Sequence, residues 1–183
     1  MKQALVIIDI QNDYFPGGNM ELVGMDEAAD KAEQALALFR DKALLIFHIQ
    51  HLSTRPGATF LVPGTLGAEI HLQVSPEGDE PLIHKNFPSA FRETSLQQQL
   101  QDAGVEALVL CGAMTQMCID TSVRAAFDLG FRCLLLSDAC ATKDMEFAGE
   151  VVPAAQVQAA FMAALSMPFA QVIATGDLES HLQ

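Results

Sequence analysis

Ala4-Leu5-Val6-Ile7-Ile8-Asp9 is five apolar residues closed by a carboxylate. An unbroken apolar run of this length, rich in β-branched residues, reads as a strand buried on both faces, the kind that parallel sheets contain. The pattern returns at Ala43 to Ile49, more weakly at Pro81 to His84, then at Ala107 to Cys111, Cys133 to Leu136 and Ala170 to Ala174. Between most of these runs, apolar residues recur every three or four positions. A helix beginning near Met25 places Met25, Ala29, Ala32, Leu36 and Phe39 on one face. Acids fill its first turn and Arg40 and Lys42 its end, as the helix dipole favours. A second helix from about Thr94 uses Leu96, Leu100 and Ala103 and stops at Gly104. A third covers about Cys118 to Leu129 before Gly130. A fourth follows Pro153, with Val157, Phe161, Ala164 and Leu165 facing inward.

Alternating strands and helices predict one α/β domain over residues 1–183: a doubly wound, mostly parallel sheet of about six strands with helices on both faces. Such sheets bind ligands outside the carboxyl ends of their strands, where the strand order reverses. The Pro/Gly-rich stretches Phe15 to Asn19, Arg55 to Gly67 and Ser75 to Pro81 adjoin strands, so they read as loops over the sheet edge and not as linkers.

Composition narrows the function classes. Half of the residues are hydrophobic and fewer than a fifth are charged, which suits a folded core. A formal charge of −13 argues against nucleic acid and anionic membrane as partners, because both demand clustered Lys and Arg. The four cysteines, Cys111, Cys118, Cys133 and Cys140, form no Cys-x-x-Cys pair. Met1-Lys2-Gln3 leads directly into the first strand run with no apolar leader region, so a reducing cytoplasm is the expected location. No apolar run reaches the ~20 residues of a membrane helix.

Three polar residues fall where a doubly wound sheet puts its site. Asp9 closes the first strand, Lys85 closes Leu82-Ile83-His84-Lys85, and Cys118 opens a helix shortly after Leu108-Val109-Leu110-Cys111-Gly112. Each has a plain alternative: Asp as a turn former, Lys as a solvated charge, Cys as an inert core residue. The inert reading suits Cys111 and Cys133, which lie inside strand runs. Together, a carboxylate, an ammonium and a thiol make a nucleophilic apparatus: the acid takes the thiol proton and the cation favours the thiolate.

Three segments carry a resemblance. They are Val6-Ile7-Ile8-Asp9-Ile10-Gln11-Asn12-Asp13-Tyr14-Phe15, His84-Lys85-Asn86-Phe87-Pro88-Ser89-Ala90-Phe91, and Cys111-Gly112-Ala113-Met114-Thr115-Gln116-Met117-Cys118 with its continuation to Ser137-Asp138-Ala139. The chain resembles the isochorismatase-like cysteine hydrolases over nearly its whole length. The resemblance implies an Asp-Lys-Cys triad at Asp9, Lys85 and Cys118. It further implies an oxyanion hole of the Met114 and Cys118 backbone N–H groups, a cis peptide at Ala113–Met114, and homodimers or homotetramers. The expected reaction is hydrolysis of a small-molecule C–N bond through a thioester, without a cofactor. Gln11, Phe15, Phe87, Phe91 and Thr115, in or beside the motifs, are candidate substrate-binding residues.

Nicotinamidases of that family hold a metal through an Asp-x-His pair and a later His. Here the matching segment is Phe47-His48-Ile49-Gln50-His51-Leu52-Ser53, with His71 much later and no carboxylate in place. Extended backbone also turns His48 and His51 to opposite faces. No metal is therefore expected, and His51 is left as a polar contact at the pocket mouth. Vinyl-ether or ester hydrolysis on the same scaffold remains open. So does a non-catalytic doubly wound binding module, although the paired acids of a Mg²⁺ site and a Gly-rich phosphate loop are missing near Asp9.

Overall fold

A computed structural model describes residues 1–182. Eight strands occur in chain order: β1 (Gln3–Ile8), β2 (Leu45–His51), β3 (Leu82–Lys85), β4 (Ala107–Ala113), β5 (Arg132–Ala141), β6 (Met145–Phe147), β7 (Glu150–Val152) and β8 (Gln171–Ile173). Four α-helices separate them: α1 (Met25–Asp41), α2 (Leu96–Asp102), α3 (Asp120–Asp128) and α4 (Ala154–Leu165). The main sheet has the order β3-β2-β1-β4-β5-β8. Every neighbouring pair in it is parallel. The fold is thus the doubly wound α/β architecture that the apolar runs predict.

Strand periodicity sorts the core into two layers. Leu5, Ile7, Val109, Cys111, Leu134 and Leu136 point to one face, where α1 buries Ala28, Ala29, Ala32, Leu36 and Phe39 against them. Ala4, Val6, Ile8, Leu108, Leu110 and Leu135 point to the other, under Leu96 and Leu100 of α2, Val123 and Ala126 of α3, and Met162 and Leu165 of α4. Each fully buried Leu, Ile or Val contributes roughly 1.5–3 kcal/mol. The alternating faces therefore lock every strand's register.

The departures are local. In α4 the inward residues are Ala154, Val157, Met162 and Leu165, while Phe161 is half-buried and Ala164 exposed. Ala154 to Leu165 is apolar almost all round, so its sequence carries no phase. Cys118 does not open an α-helix: it lies in a π turn, Thr115–Ile119, that precedes α3. β6 and β7 form an antiparallel hairpin in the stretch after β5. Among the described residues, no helix is long and apolar enough to cross a membrane.

The sheet's order fixes where chemistry can occur. From β1 the chain winds outward through β2 to β3, then crosses back to β4 on the other side of β1. The two windings part between β1 and β4, leaving a crevice above their carboxyl ends. Asp9 follows β1, and the Cys118 turn follows β4.

Candidate active site

Three local structures build this crevice. Asp9 has a positive φ of 53°, a left-handed conformation that Asp tolerates better than most residues. That turn swings its carboxylate off the strand axis. At the end of β4, Gly112 has φ 126°, and a Cβ there would lie 1.9 Å from the Ile8 carbonyl oxygen of β1. Only glycine lets the two strand ends approach this closely. The next peptide, Ala113–Met114, is cis. In the π turn that follows, the Met114 carbonyl accepts from the N–H groups of Met117 and Ile119.

Asp9, Lys85 and Cys118 converge, although they come from three elements. The Lys85 Nζ lies 2.6 Å from Asp9 Oδ2. It also lies 3.3 Å from Cys118 Sγ, 3.1 Å from the Phe87 carbonyl oxygen and 2.9 Å from His51 Nδ1. All three triad side chains are almost fully buried. Both Asp9 carboxylate oxygens are buried, with Oδ2 against the Lys85 ammonium.

Burial and charge set the protonation states. Burial pushes the Cys118 thiol well up and the Asp9 carboxylate pushes it further, while Lys85 pulls it down without prevailing. The resting sulfur is therefore a thiol and not the thiolate. Burial alone would lower Lys85, but its neighbours, the Asp9 carboxylate first among them, outweigh it and hold the ammonium charged. His51 is lowered to about 4, first by burial and then by the Lys85 charge, so its imidazole is neutral at pH 7. An ammonium can only donate, so His51 Nδ1 accepts and the ring proton sits on Nε2.

From the sequence, His51 is expected at the pocket mouth; the structure brings it into the cluster. Its Nδ1 is 3.8 Å from Asp9 and 3.9 Å from Cys118. Gln11 holds it there: the Gln11 side chain accepts from the His51 N–H at 2.8 Å and donates to the His51 carbonyl at 2.9 Å. Asp9, His51 and Cys118 offer a carboxylate, an imidazole and a thiol within 4.8 Å of one another. The Lys85 ammonium already contacts all three, so the cation these donors serve is the lysine. His48 and His51 do face opposite ways. His48 bonds Glu80 at 2.8 Å, while His71 stacks on Phe15 with ring centroids 3.7 Å apart.

Above the thiol opens a cavity of about 320 Å³. Tyr14, Phe60, Leu61, Pro88, Met114 and Met117 form its apolar wall, and His51, Ser53, Arg55 and Thr59 its polar side. A larger hollow of about 610 Å³ surrounds Met1, Glu106 and Arg132 at the amino edge of the sheet, away from the triad.

None of the five motif residues expected to bind substrate lines the cavity over Cys118. Gln11 is committed to the backbone of His51 and Ala68. Phe15 is buried against His71, and Phe91 stacks on Phe131. Phe87 lies under the Arg92 guanidinium at 3.5 Å and offers the site only its carbonyl. Thr115 donates to the Ala141 carbonyl and pairs with Gln158. Adjacency to a motif does not specify side-chain direction, and these side chains are turned to other partners. The lining comes instead from residues 53–61, a loop with no periodicity to read, together with Tyr14, Pro88, Met114 and Met117 of the motif segments.

A doubly wound sheet that gathers a carboxylate, an ammonium and a thiol at its switch point defines a class, the isochorismatase-like α/β hydrolases. Residues 3–177 match the isochorismatase domain, and the chain belongs to that family. It is similar to an isochorismatase family protein of Bacillus subtilis, with 45% identity over 96% of this chain and 97% of that one. The crystal structure of an isochorismatase hydrolase from Oleispira antarctica superposes with a TM-score of 0.94. That chain is 46% identical, and the match covers 98% of this chain and 96% of that one. A streptothricin hydrolase of Streptomyces noursei is 36% identical over 84% of this chain and 55% of its own length. Relatives also include a maleamate amidohydrolase of Pseudomonas putida and a nicotinamidase of Arabidopsis thaliana. The protein is an isochorismatase-family hydrolase.

Proposed function

We propose that the protein hydrolyses the amide, ureido or carbamoyl C–N bond of a small molecule through a Cys118 thioester. One observation carries this reading: a single ammonium touches both the Asp9 carboxylate and the Cys118 sulfur, beneath a cavity of small-molecule size. Proton transfer from Sγ to Asp9 moves the negative charge from 2.6 Å to 3.3 Å from Nζ. At an effective dielectric constant of about 20, that displacement costs only about 1.4 kcal/mol of lysine attraction. Lys85 thus lets the charge pass between the two partners without leaving its cation.

In the first step the sulfur bonds the carbonyl carbon while its proton goes to Asp9. The backbone N–H groups of Met114 and Cys118 receive the oxyanion. Collapse breaks the C–N bond, and the leaving amine takes the proton from Asp9. Water, deprotonated by Asp9, then cleaves the thioester, releasing the acid and restoring the thiol. No step draws on a cofactor. Relatives named as a maleamate amidohydrolase and a nicotinamidase support C–N cleavage over other hydrolyses. Self-association is part of the proposal, with the exposed Phe147 and Val151 of the β6–β7 hairpin as its contact surface.

The test is a hydrolysis screen of small amides, ureido acids and carbamoyl amino acids, with Cys118→Ala and Cys118→Ser as blanks. Loss of turnover in both variants with an unchanged circular dichroism spectrum is the expected result. Wild-type rates in Cys118→Ala exclude covalent catalysis.

A further inference from the structure

Of the five arginines of this acidic chain, Arg55 and Arg132 pair with no acid among the described residues, and of these two Arg55 is the one at the cavity over Cys118. Arg40 pairs with Glu77 and Glu80, Arg92 with Glu93, and Arg124 with Asp120. Among the described residues, Arg55 pairs with no acid and hydrogen-bonds no side chain, and it lines the cavity that contains Cys118. No Asp or Glu contributes to that lining, although the chain holds 23 acids against 10 Lys and Arg. The guanidinium is near enough to His51 to lower that ring's proton affinity.

The loop that carries Arg55 is anchored. The Ser53 N–H donates to the Leu61 carbonyl at 2.8 Å, and the Leu61 N–H to Asp13 Oδ2 at 2.6 Å. Within it, the Ala58 N–H closes a turn on the Arg55 carbonyl at 3.1 Å. Asp13 is itself fixed by Asn19 and by Gly67, where a Cβ would meet its carboxylate at 2.1 Å. A charge without an acidic partner, exposed on an anchored loop at the polar side of the cavity, is placed to recognise an opposite charge in the ligand.

We infer that the substrate is an anionic amide, and that Arg55 binds a carboxylate a few bonds from the scissile carbonyl. This rests on the hydrolase reading, and the test separates the two. In the first arm, kcat/KM is measured for succinamate, succinamide and β-alaninamide, which share a skeleton but carry a negative, no and a positive charge. Succinamate is favoured by the wild type, and Arg55→Ala cuts the succinamate-to-succinamide ratio about 10- to 100-fold, the factor of a charge-assisted hydrogen bond. Arg55→Lys retains part of it.

The second arm needs no turnover. Cys118 is alkylated with iodoacetate and with iodoacetamide, which differ in charge and little in size, and the ratio of rates is read by peptide mass spectrometry. Arg55→Ala lowers that ratio about tenfold. Arg132→Ala, which removes an equal charge at the amino edge of the sheet, leaves it alone. An alkylation ratio in Arg55→Ala within about twofold of wild type overturns the inference. So does a wild-type preference for the neutral or cationic amide. If no amide is hydrolysed but the alkylation ratio still falls in Arg55→Ala, the hydrolase reading fails and anion recognition stands.

Discussion

Lys85→Met removes the ammonium and keeps most of the stem's volume, so it isolates the charge. The cation sits 3.3 Å from Cys118 Sγ in a site nearly closed to water. At an effective dielectric constant of about 20, a unit charge at that distance is worth about 5 kcal/mol to the thiolate. Relaxation and water entry will return part of this, and half of it corresponds to nearly a hundredfold in thiolate population. The second-order rate of Cys118 alkylation by iodoacetamide at pH 7.5, with EDTA present, should fall about 100-fold, and its pH profile should move upward. Peptide mass spectrometry gives the site-specific rate. A thermal melt followed by near-ultraviolet circular dichroism shows whether the variant is folded. A folded Lys85→Met chain that reacts within about threefold of wild type would refute the claim that this charge governs the sulfur.

The same variant should raise His51 from about 4, because the Lys85 charge that lowers it is gone while the Asp9 carboxylate that raises it stays; a histidine NMR titration reads the change. Gly112→Ala should destabilise by more than about 3 kcal/mol in urea, since the added carbon meets the Ile8 carbonyl in a backbone region hostile to alanine; a loss below about 1 kcal/mol contradicts that geometry. Glu80 is held down to about 2, chiefly by its hydrogen bonds from Arg40 and with help from His48. A folded value below the unfolded one stabilises above about pH 4.5 and is lost as pH falls toward 2. Glu80→Gln should therefore cost about 1–2 kcal/mol at pH 7 and close on wild type in acid, as followed by urea midpoints across pH. Phe147→Ser should shift any oligomer seen by light scattering toward the monomer; an unchanged mass removes the hairpin from the interface.

The parts of this molecule that could be read in the chain are those whose signal is contiguous. Val6-Ile7-Ile8 and Leu108-Val109-Leu110 are apolar because both faces of each strand are covered. Asp9 and Lys85 sit at strand ends, where topology dictates that ligands bind. What escaped depends on directions in space. Phe15 and Phe91 lie in the right motifs, but Phe15 is buried in the core and the half-buried Phe91 packs against it. The Arg40–Glu80–His48 cluster joins residues far apart in sequence. The place of His51 in the cluster depends on a clasp from Gln11, forty residues earlier, which no local pattern announces.

The positive charge at the heart of this site hangs on a covalent stem. A catalyst that borrows its cation from solution can lose it to a chelator or exchange it for the wrong ion, whereas a lysine is supplied by translation and removed only by mutation. Deleting that stem, as in Lys85→Ala, leaves a carboxylate, an imidazole and a thiol around a vacated centre, a mixed donor set of the kind that Zn²⁺ accepts. Truncating one side chain would turn a self-neutralised cluster into a trap for scavenged metal.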